Sequence, residues 1–368
     1  MRDFLIVGGG VIGLSIAWEL ARSGKQVCVV DRQQPGRSTS WVGAGIFPPP
    51  QLGAQHDPLE RLRSISHDLH VEWSERLLAE TGVDNELRKC GGIYVARRAG
   101  EAAALRVSMQ QHADDGVEVI EWSSDDVVAH EPNLAQLAQQ IKVAFWLPEE
   151  MQIRSPLHLQ ALLLACRQLG VEILPDVEVH RVETQGEQVT GLQSYAGKLT
   201  ASEYVFCGGP WAPELMESLD ILLPVEPWRG QLILWKTDPS LLSSVLNEGF
   251  RYLVPREDGH LLAGATVEDV GFDCQTTDEA ISELKEYSCS LLPQLRDYEV
   301  IQAWAGLRPK TPDGVPFMGR VPGFDNLSLA TGHYRSGLHL SPVTAVFMRQ
   351  LLLQDTTDLE AMAFRMNR

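Results

Sequence analysis

The stretch FLIVGGGVIGLSIAWELARSGKQVCVVDR, from Phe4 to Arg32, decides the fold. Phe4 to Val7 is a continuous apolar run, the pattern of a strand covered on both faces. Gly8-Gly9-Gly10-Val11-Ile12-Gly13 then fits G-x-G-x-x-G. The spacing predicts a helix with Ile12, Ile16 and Leu20 on one face, stopping at Ser23-Gly24. Val27 to Val30 reads as a second strand, and Asp31 stands at its end, 18 residues after Gly13. Gly8 permits the tight turn, Gly10 lets backbone approach a pyrophosphate, and Gly13 lets helix pack on strand. The helix N-terminus at Val11 and Ile12 offers N–H groups and positive dipole to phosphates. Asp31, with Arg32 beside it, can accept hydrogen bonds from a ribose hydroxyl. The whole constellation points to dinucleotide binding, against the alternative of a tight β–α turn with no ligand.

The motif alone does not separate NAD from FAD. Two later segments repeat its plan. SEYVFCGGPWAPEL has a strand at Tyr204 to Cys207, then Gly208-Gly209 and Trp211; NLSLATGHYRSGLHLSPVTAVFMRQLLLQ has a strand at Leu327 to Ala330, a glycine-bounded loop and an amphipathic helix. One extended cofactor touched from distant segments suits FAD better than NAD. The competing reading is that these glycines only serve turns.

The chain of 368 residues has room for two domains or one large unit with an insertion, and its 44% hydrophobic content can fill a sizeable core. The formal net charge of −18 argues against nucleic acid and anionic membrane surfaces as partners. A carboxylate ligand would therefore need a local positive site. The six cysteines form no C-x-x-C pair, which reads as reduced thiols in a cytoplasmic protein without a structural metal. No window approaches the roughly 18 apolar residues that a membrane span needs, and the run at Phe4 is broken by glycine too soon for a signal peptide.

From Leu223 to Ala265 the period changes to that of antiparallel sheet. RGQLILWKT reads as a strand, FRYLVPREDGHLLAGAT as a hairpin turning at Asp258-Gly259, and CGGIYVARR as a further strand of the same layer. The expected fold is thus α/β plus α+β: a Rossmann-like, discontinuous nucleotide-binding domain (1–84, 148–222 and 304–368) with an inserted antiparallel-sheet substrate domain (85–147 and 223–303). In the crevice between them, Tyr252, Arg308, His333, Tyr334 and Arg335 are the polar candidates. Each has an alternative: Tyr252 as packing, Arg308 paired with Asp313, Arg335 capping a loop carbonyl, His333 as a structural loop residue. No Ser/His/Asp or paired-carboxylate arrangement is evident.

The segments FLIVGGGVIGLSIAWELARSGKQVCVVD, GRSTSWVGAGIFPPP, PVEPWRGQLILW, YLVPREDGHLLAGATVED, AWAGLRPKTPDGVPFMG and ATGHYRSGLHLSPVTA together resemble glycine oxidases of the thiamine-biosynthesis type, within the FAD-dependent D-amino-acid oxidase and sarcosine oxidase superfamily. The resemblance spans nearly the whole chain in order. It implies that Arg308 pairs with a substrate carboxylate, that Tyr252 touches the same carboxylate, and that Arg335 stands near the flavin and the substrate entrance. It implies that Gly8, Gly10, Gly13 and Asp31 hold the ADP moiety. Ser40, Gly43, Ala44 and Gly45 would lie against flavin and pyrophosphate, and Val179 would meet the adenine. His333, Tyr334, Arg335, Ser336, Gly337 and Leu338 would present the backbone that meets the pyrimidine end of the isoalloxazine.

Phe250 stands where some glycine oxidases carry histidine, and Val267 where a methionine can line the pocket, which leaves the preferred substrate side chain open. Phe317-Met318-Gly319 lacks the cysteine of covalent flavoproteins, so the FAD is expected to be non-covalent. The implied reaction is oxidation of a small amino acid, foremost glycine, by hydride transfer to flavin N5 with O2 as acceptor. The product imine would supply the thiamine thiazole, and the protein would be a homo-oligomer. Sarcosine or D-amino-acid oxidation, a dehydrogenase using a quinone, and a non-catalytic flavin-binding redox protein are the alternatives.

Overall fold

The computed structural model describes residues 2–54, 57–356, 359 and 361–368. Its first sheet has six strands in the order Phe317–Arg320, Leu327–Thr331, Glu203–Phe206, Phe4–Val7, Val27–Val30, Glu172–Leu174. All neighbours are parallel except Phe317–Arg320, which runs antiparallel to Leu327–Thr331. Alternation along the strands explains their unbroken apolar runs. Phe4, Ile6, Val27 and Val29 face a helical layer that contains Trp18, Trp73 and Phe347. Leu5, Cys28 and Val30 face the other side, where Val182, Val189 and Leu192 of a three-stranded antiparallel sheet cover them. With both faces covered, these strands are almost wholly apolar.

The helical layer is built from Val11–Arg22, Pro58–Thr81, Ser155–Gln168 and Gly337–Leu353. The long Pro58–Thr81 helix starts where the Asp57 carboxylate accepts the N–H groups of Leu59 and Glu60, and it stops at Gly82 in the left-handed region, φ 72°. Trp73 on this helix meets Trp18 edge-on at 4.6 Å, locking it to the first helix.

The second sheet has eight strands: Glu299–Lys310, Glu226–Lys236, His260–Gly264, Arg251–Pro255, Val245–Glu248, Gly92–Ala96, Val143–Leu147 and Ile120–Trp122. It contains the expected hairpin at Asp258-Gly259. It is not wholly antiparallel, because Val245–Glu248 runs parallel to Gly92–Ala96 where the two insertions join. The boundary expected at 303/304 falls inside a strand. Glu299–Lys310 pairs along its length with Glu226–Lys236, from Glu226 opposite Lys310 to Lys236 opposite Glu299, so a cut there would sever one ladder. The six-stranded sheet draws on 1–84, 148–222 and the chain after Lys310; the eight-stranded sheet draws on 85–147 and 223–310.

Candidate active site

Four parallel strands of the first sheet end together. At or just past their ends stand Gly8, Asp31, Gly208 and Thr331, and all four line one long cavity. This is where ligands sit in open α/β sheets, beyond the carboxyl ends of the strands. The facing wall is the eight-stranded sheet. Side chains two apart share a face, so Arg308 and Gly306, Leu232 and Gly230, and Tyr252 and Phe250 all present themselves to the cavity.

The sequence candidates Gly8, Gly10, Val11, Ile12, Asp31, Arg32, Ser40, Gly43, Ala44, Gly45, Val179, Gly208, Trp211, Tyr252, Arg308, His333, Tyr334, Arg335, Gly337 and Leu338 line this cavity together. Gly13 and Ser336 do not. Gly13 lies beneath the turn, where a Cβ would stand 1.9 Å from the Gly8 carbonyl oxygen, so its role is helix–strand approach. Ser336 turns its hydroxyl to Arg63, whose Nη2 donates to it at 3.3 Å.

The glycine-rich turn is braced by the residues around it. Gly8 adopts φ 108°, and a Cβ there would meet the Cys207 carbonyl oxygen at 2.4 Å. The Asp31 carboxylate accepts Gly9 N–H at 2.7 Å and Gln33 N–H at 2.8 Å. Burial pushes its pKa up, and those two donors pull partly against that. Ser40 Oγ accepts the Val11 N–H at 3.0 Å, and the Arg32 guanidinium stacks over the Trp211 ring at 3.9 Å. Arg256, unforeseen from the sequence, is buried behind the loop. Its Nη2 donates to the Ala44 carbonyl at 2.8 Å, and its Nη1 to Gln152 Oε1 at 2.7 Å and to the Ile153 carbonyl.

On the sheet wall, Arg308 is mostly enclosed and has no carboxylate partner within ion-pair distance among the described residues. Asp313, the internal partner considered for it, instead binds Arg368 at 2.9 Å. Arg308 Nη1 donates to the Thr266 carbonyl at 3.1 Å and the Arg229 carbonyl at 3.3 Å. Burial lowers its pKa, and the nearby charge of Arg335 adds to that, but a guanidinium stays protonated. Tyr252 is next to it: burial pushes the phenol's pKa up, while Arg308 and Arg335 pull it down. Arg335 itself is exposed at the rim, 5.6 Å over the Tyr334 ring, and Tyr334 is held at φ 46° by its N–H bond to the Pro309 carbonyl.

The room for this arrangement comes from glycines inside strands. A Cβ at Gly230 would strike the Arg308 guanidinium, one at Gly264 would come 2.9 Å from the Tyr252 hydroxyl, and one at Gly306 would meet Val42. Glycine in a strand interior is the sequence signal that would have revealed them. The short helix Thr39–Val42 docks on the same strand, with Thr39 Oγ1 donating to the Leu307 carbonyl at 2.9 Å and Trp304 Nε1 to the Val42 carbonyl at 3.3 Å. His333 faces away from acid–base work. Its Nε2 meets Thr344 Oγ1 at 3.1 Å, and burial lowers its pKa to about 3, so it is neutral.

A parallel-sheet cleft closed by a second sheet that carries an arginine with no carboxylate partner among the described residues is a setting for a dinucleotide and a small anion. The chain matches the family described as FAD dependent oxidoreductase over residues 3–351, and it belongs to that family. It is 36% identical over 352 residues to a glycine oxidase of Pseudomonas putida, covering 95% of this chain and 94% of that protein. It is 33% identical over 362 residues to the bifunctional protein ThiO/ThiG of Trichormus variabilis, covering 97% of this chain and 53% of that longer protein. The crystal structure of glycine oxidase from Geobacillus kaustophilus superposes with a TM-score of 0.92 at 29% identity, covering 100% of this chain and 98% of that one.

FAD is the family's cofactor, and this chain's cavity fits it. Gly10 opens onto the cavity with Ser40 Oγ as its near neighbour, at 3.3 Å from a built Cβ, while Gly8, Gly43 and Gly45 approach backbone or Leu338 too closely for any side chain. The cradle is lined by backbone, as phosphate binding requires. Among the described residues no cluster of His, Cys, Asp and Glu could hold a metal, and no helix is long and apolar enough to cross a membrane.

Proposed function

We propose that this protein is an FAD-dependent glycine oxidase that converts glycine, O2 and water to glyoxylate, ammonia and hydrogen peroxide, and that it supplies the imine for thiazole formation in thiamine synthesis. The observation that carries the reading is Arg308: an enclosed guanidinium, facing the cavity beside the Tyr252 hydroxyl, with backbone carbonyls as partners and no carboxylate among the described residues. Burying such a cation costs several kcal/mol, roughly, unless a partner arrives. A substrate carboxylate is that partner.

The arrangement lets Arg308 and Tyr252 hold a planar carboxylate in one orientation, which a lysine in place of Arg308 would do less well. The substrate's α-carbon is thereby fixed against the glycine-lined wall. FAD held in the cavity would supply the acceptor for a hydride from that carbon and the route for its electrons to O2. No side-chain base is needed once the amine is unprotonated, and the neutral, buried His333 is in keeping with that. Gly8, Gly10, Val11, Asp31 and Val179 serve the ADP moiety, and Gly43, Ala44, Gly45 and the loop from His333 to Leu338 serve the flavin, held without a covalent bond.

A small substrate is in keeping with Tyr252, Leu232 and Arg308 sharing one wall of the cavity, which Phe250, 54% exposed, also lines. A homo-oligomer of the holoprotein belongs to the same reading, and light scattering measures it. The test is peroxide release with glycine, sarcosine, D-alanine and D-proline. Glycine is expected to give the highest kcat/KM. Faster turnover of D-proline or sarcosine would move the assignment to those substrates, and peroxide from none of them would remove it.

A further inference from the structure

The Glu268 carboxylate lies outside the cavity, yet it ties together both groups that hold Arg308. Arg308 Nη1 has two protein partners, the carbonyls of Arg229 and Thr266. The side chains of those same two residues converge on Glu268. Arg229 Nε and Nη2 donate to its Oε2 at 3.0 and 2.5 Å, and Thr266 Oγ1 donates to its Oε1. Gln231, fully buried, adds its Nε2 to Oε1 at 2.9 Å, and its own backbone N–H donates to Thr266 Oγ1 at 2.9 Å. The backbones close the ring: Arg229 and Glu268 exchange N–H bonds at 2.8 and 3.0 Å.

We infer that Glu268 is a positioning residue that fixes Arg308 for the substrate carboxylate through Arg229 and Thr266, without pairing with Arg308 itself. The inference rests on the reading of Arg308 given above. Its physical content is a division of labour. A carboxylate bonded directly to Arg308 would compete with the substrate for the same fork. Placed one residue away, it shares the buried Arg229 with Asp273, whose Oδ2 accepts from Arg229 Nη1 at 2.6 Å, orients two carbonyls onto a single guanidinium nitrogen, and leaves the rest of the fork for the ligand. Gly230 completes the mount, because its missing side chain lets the guanidinium lie against the strand. Burial pushes the Glu268 pKa up, but the bonds from Thr266, Arg229 and Gln231 more than offset this, so it carries its charge at neutral pH.

The experiment compares the parent holoprotein with Glu268→Gln and Thr266→Val, the latter keeping size while removing only the hydroxyl that meets Glu268. Glycolate, which has the carboxylate but no amine, is titrated by its perturbation of the flavin's visible band, and glycine kinetics and FAD affinity are measured alongside. Both variants are expected to weaken glycolate and raise KM for glycine tenfold or more, with kcat within about twofold and FAD affinity unchanged. Unchanged glycolate affinity in both variants would overturn the inference, as would a loss confined to kcat or to FAD binding. If Glu268→Gln does not fold, Thr266→Val decides alone. A parent that shows no band shift with glycolate would overturn the carboxylate site at Arg308 itself, and the role of Glu268 with it.

Discussion

The Arg308 guanidinium lies against Gly230 of the adjacent strand so closely that a Cβ at residue 230 would stand 2.1 Å from Nη2 and 2.3 Å from Cζ. The position of Arg308, the proposed substrate anchor, is thus set by the absence of a side chain on its neighbour. Gly230→Ala must displace Arg308, at an overpacking cost of about 1–3 kcal/mol. The expected result is a rise in KM for glycine of tenfold or more with the FAD affinity of the parent, checked by steady-state kinetics and fluorescence titration of the flavin.

Arg308→Ala removes one partner of a buried charge pair, which costs about 2–5 kcal/mol. That loss should appear in kcat/KM for glycine, with the flavin spectrum retained. Arg308→Lys keeps the charge but not the planar fork, so it should fall between the two.

Arg256 offers a separate test at the cofactor. Its guanidinium bridges the Ala44 carbonyl to Gln152 and Ile153, joining the loop Gly43-Ala44-Gly45 to the chain beneath. Arg256→Met leaves three acceptors without a donor and should weaken FAD tenfold or more, about 1.4 kcal/mol or above. Arg256→Lys should recover part of the loss, measured by titrating FAD into the apoprotein.

The buried histidines make a prediction about pH. Burial lowers the pKa of His158 to about 4 and of His333 and His339 to about 3, from an ordinary 6.5. Each is neutral when folded and gains a proton on unfolding below pH 6.5. The unfolded chain then binds more protons, so stability is fully present above that pH and is lost as pH falls toward the folded values. The slope is up to about 1.4 kcal/mol per pH unit for each group. Melting temperature against pH should fall across this window, and His333→Gln should make the fall shallower.

Much of this molecule was legible in its sequence because its nucleotide half is written in local signals. The run from Phe4 to Val7, the glycines after it and Asp31 belong to one strand–turn–helix–strand unit whose parts lie close in the chain. Arg308 and Tyr252 stood among the polar candidates of the crevice, but the roles expected of them came only from family resemblance, since a strand arginine or tyrosine has no local mark of its purpose. Their mounting was not legible. Gly230 has the visible mark of a glycine inside a strand, but that it, Thr266 and Glu268 bear on Arg308 across strands follows from register and side-chain reach that no short window encodes. The boundary expected near Trp304 lies within the strand Glu299–Lys310 for a related reason: the conspicuous motif begins inside that strand, and the change from one sheet to the other comes only after Lys310.

The most direct measurement is anaerobic mixing of the purified holoprotein with glycine, and separately with methylamine, while following the flavin's visible band, and then admission of air with a peroxide assay. The account predicts saturable bleaching by glycine, none by methylamine, which lacks the carboxylate for Arg308, and recovery of the band with peroxide in air. Bleaching by methylamine as readily as by glycine, or no bleaching by glycine, would contradict it.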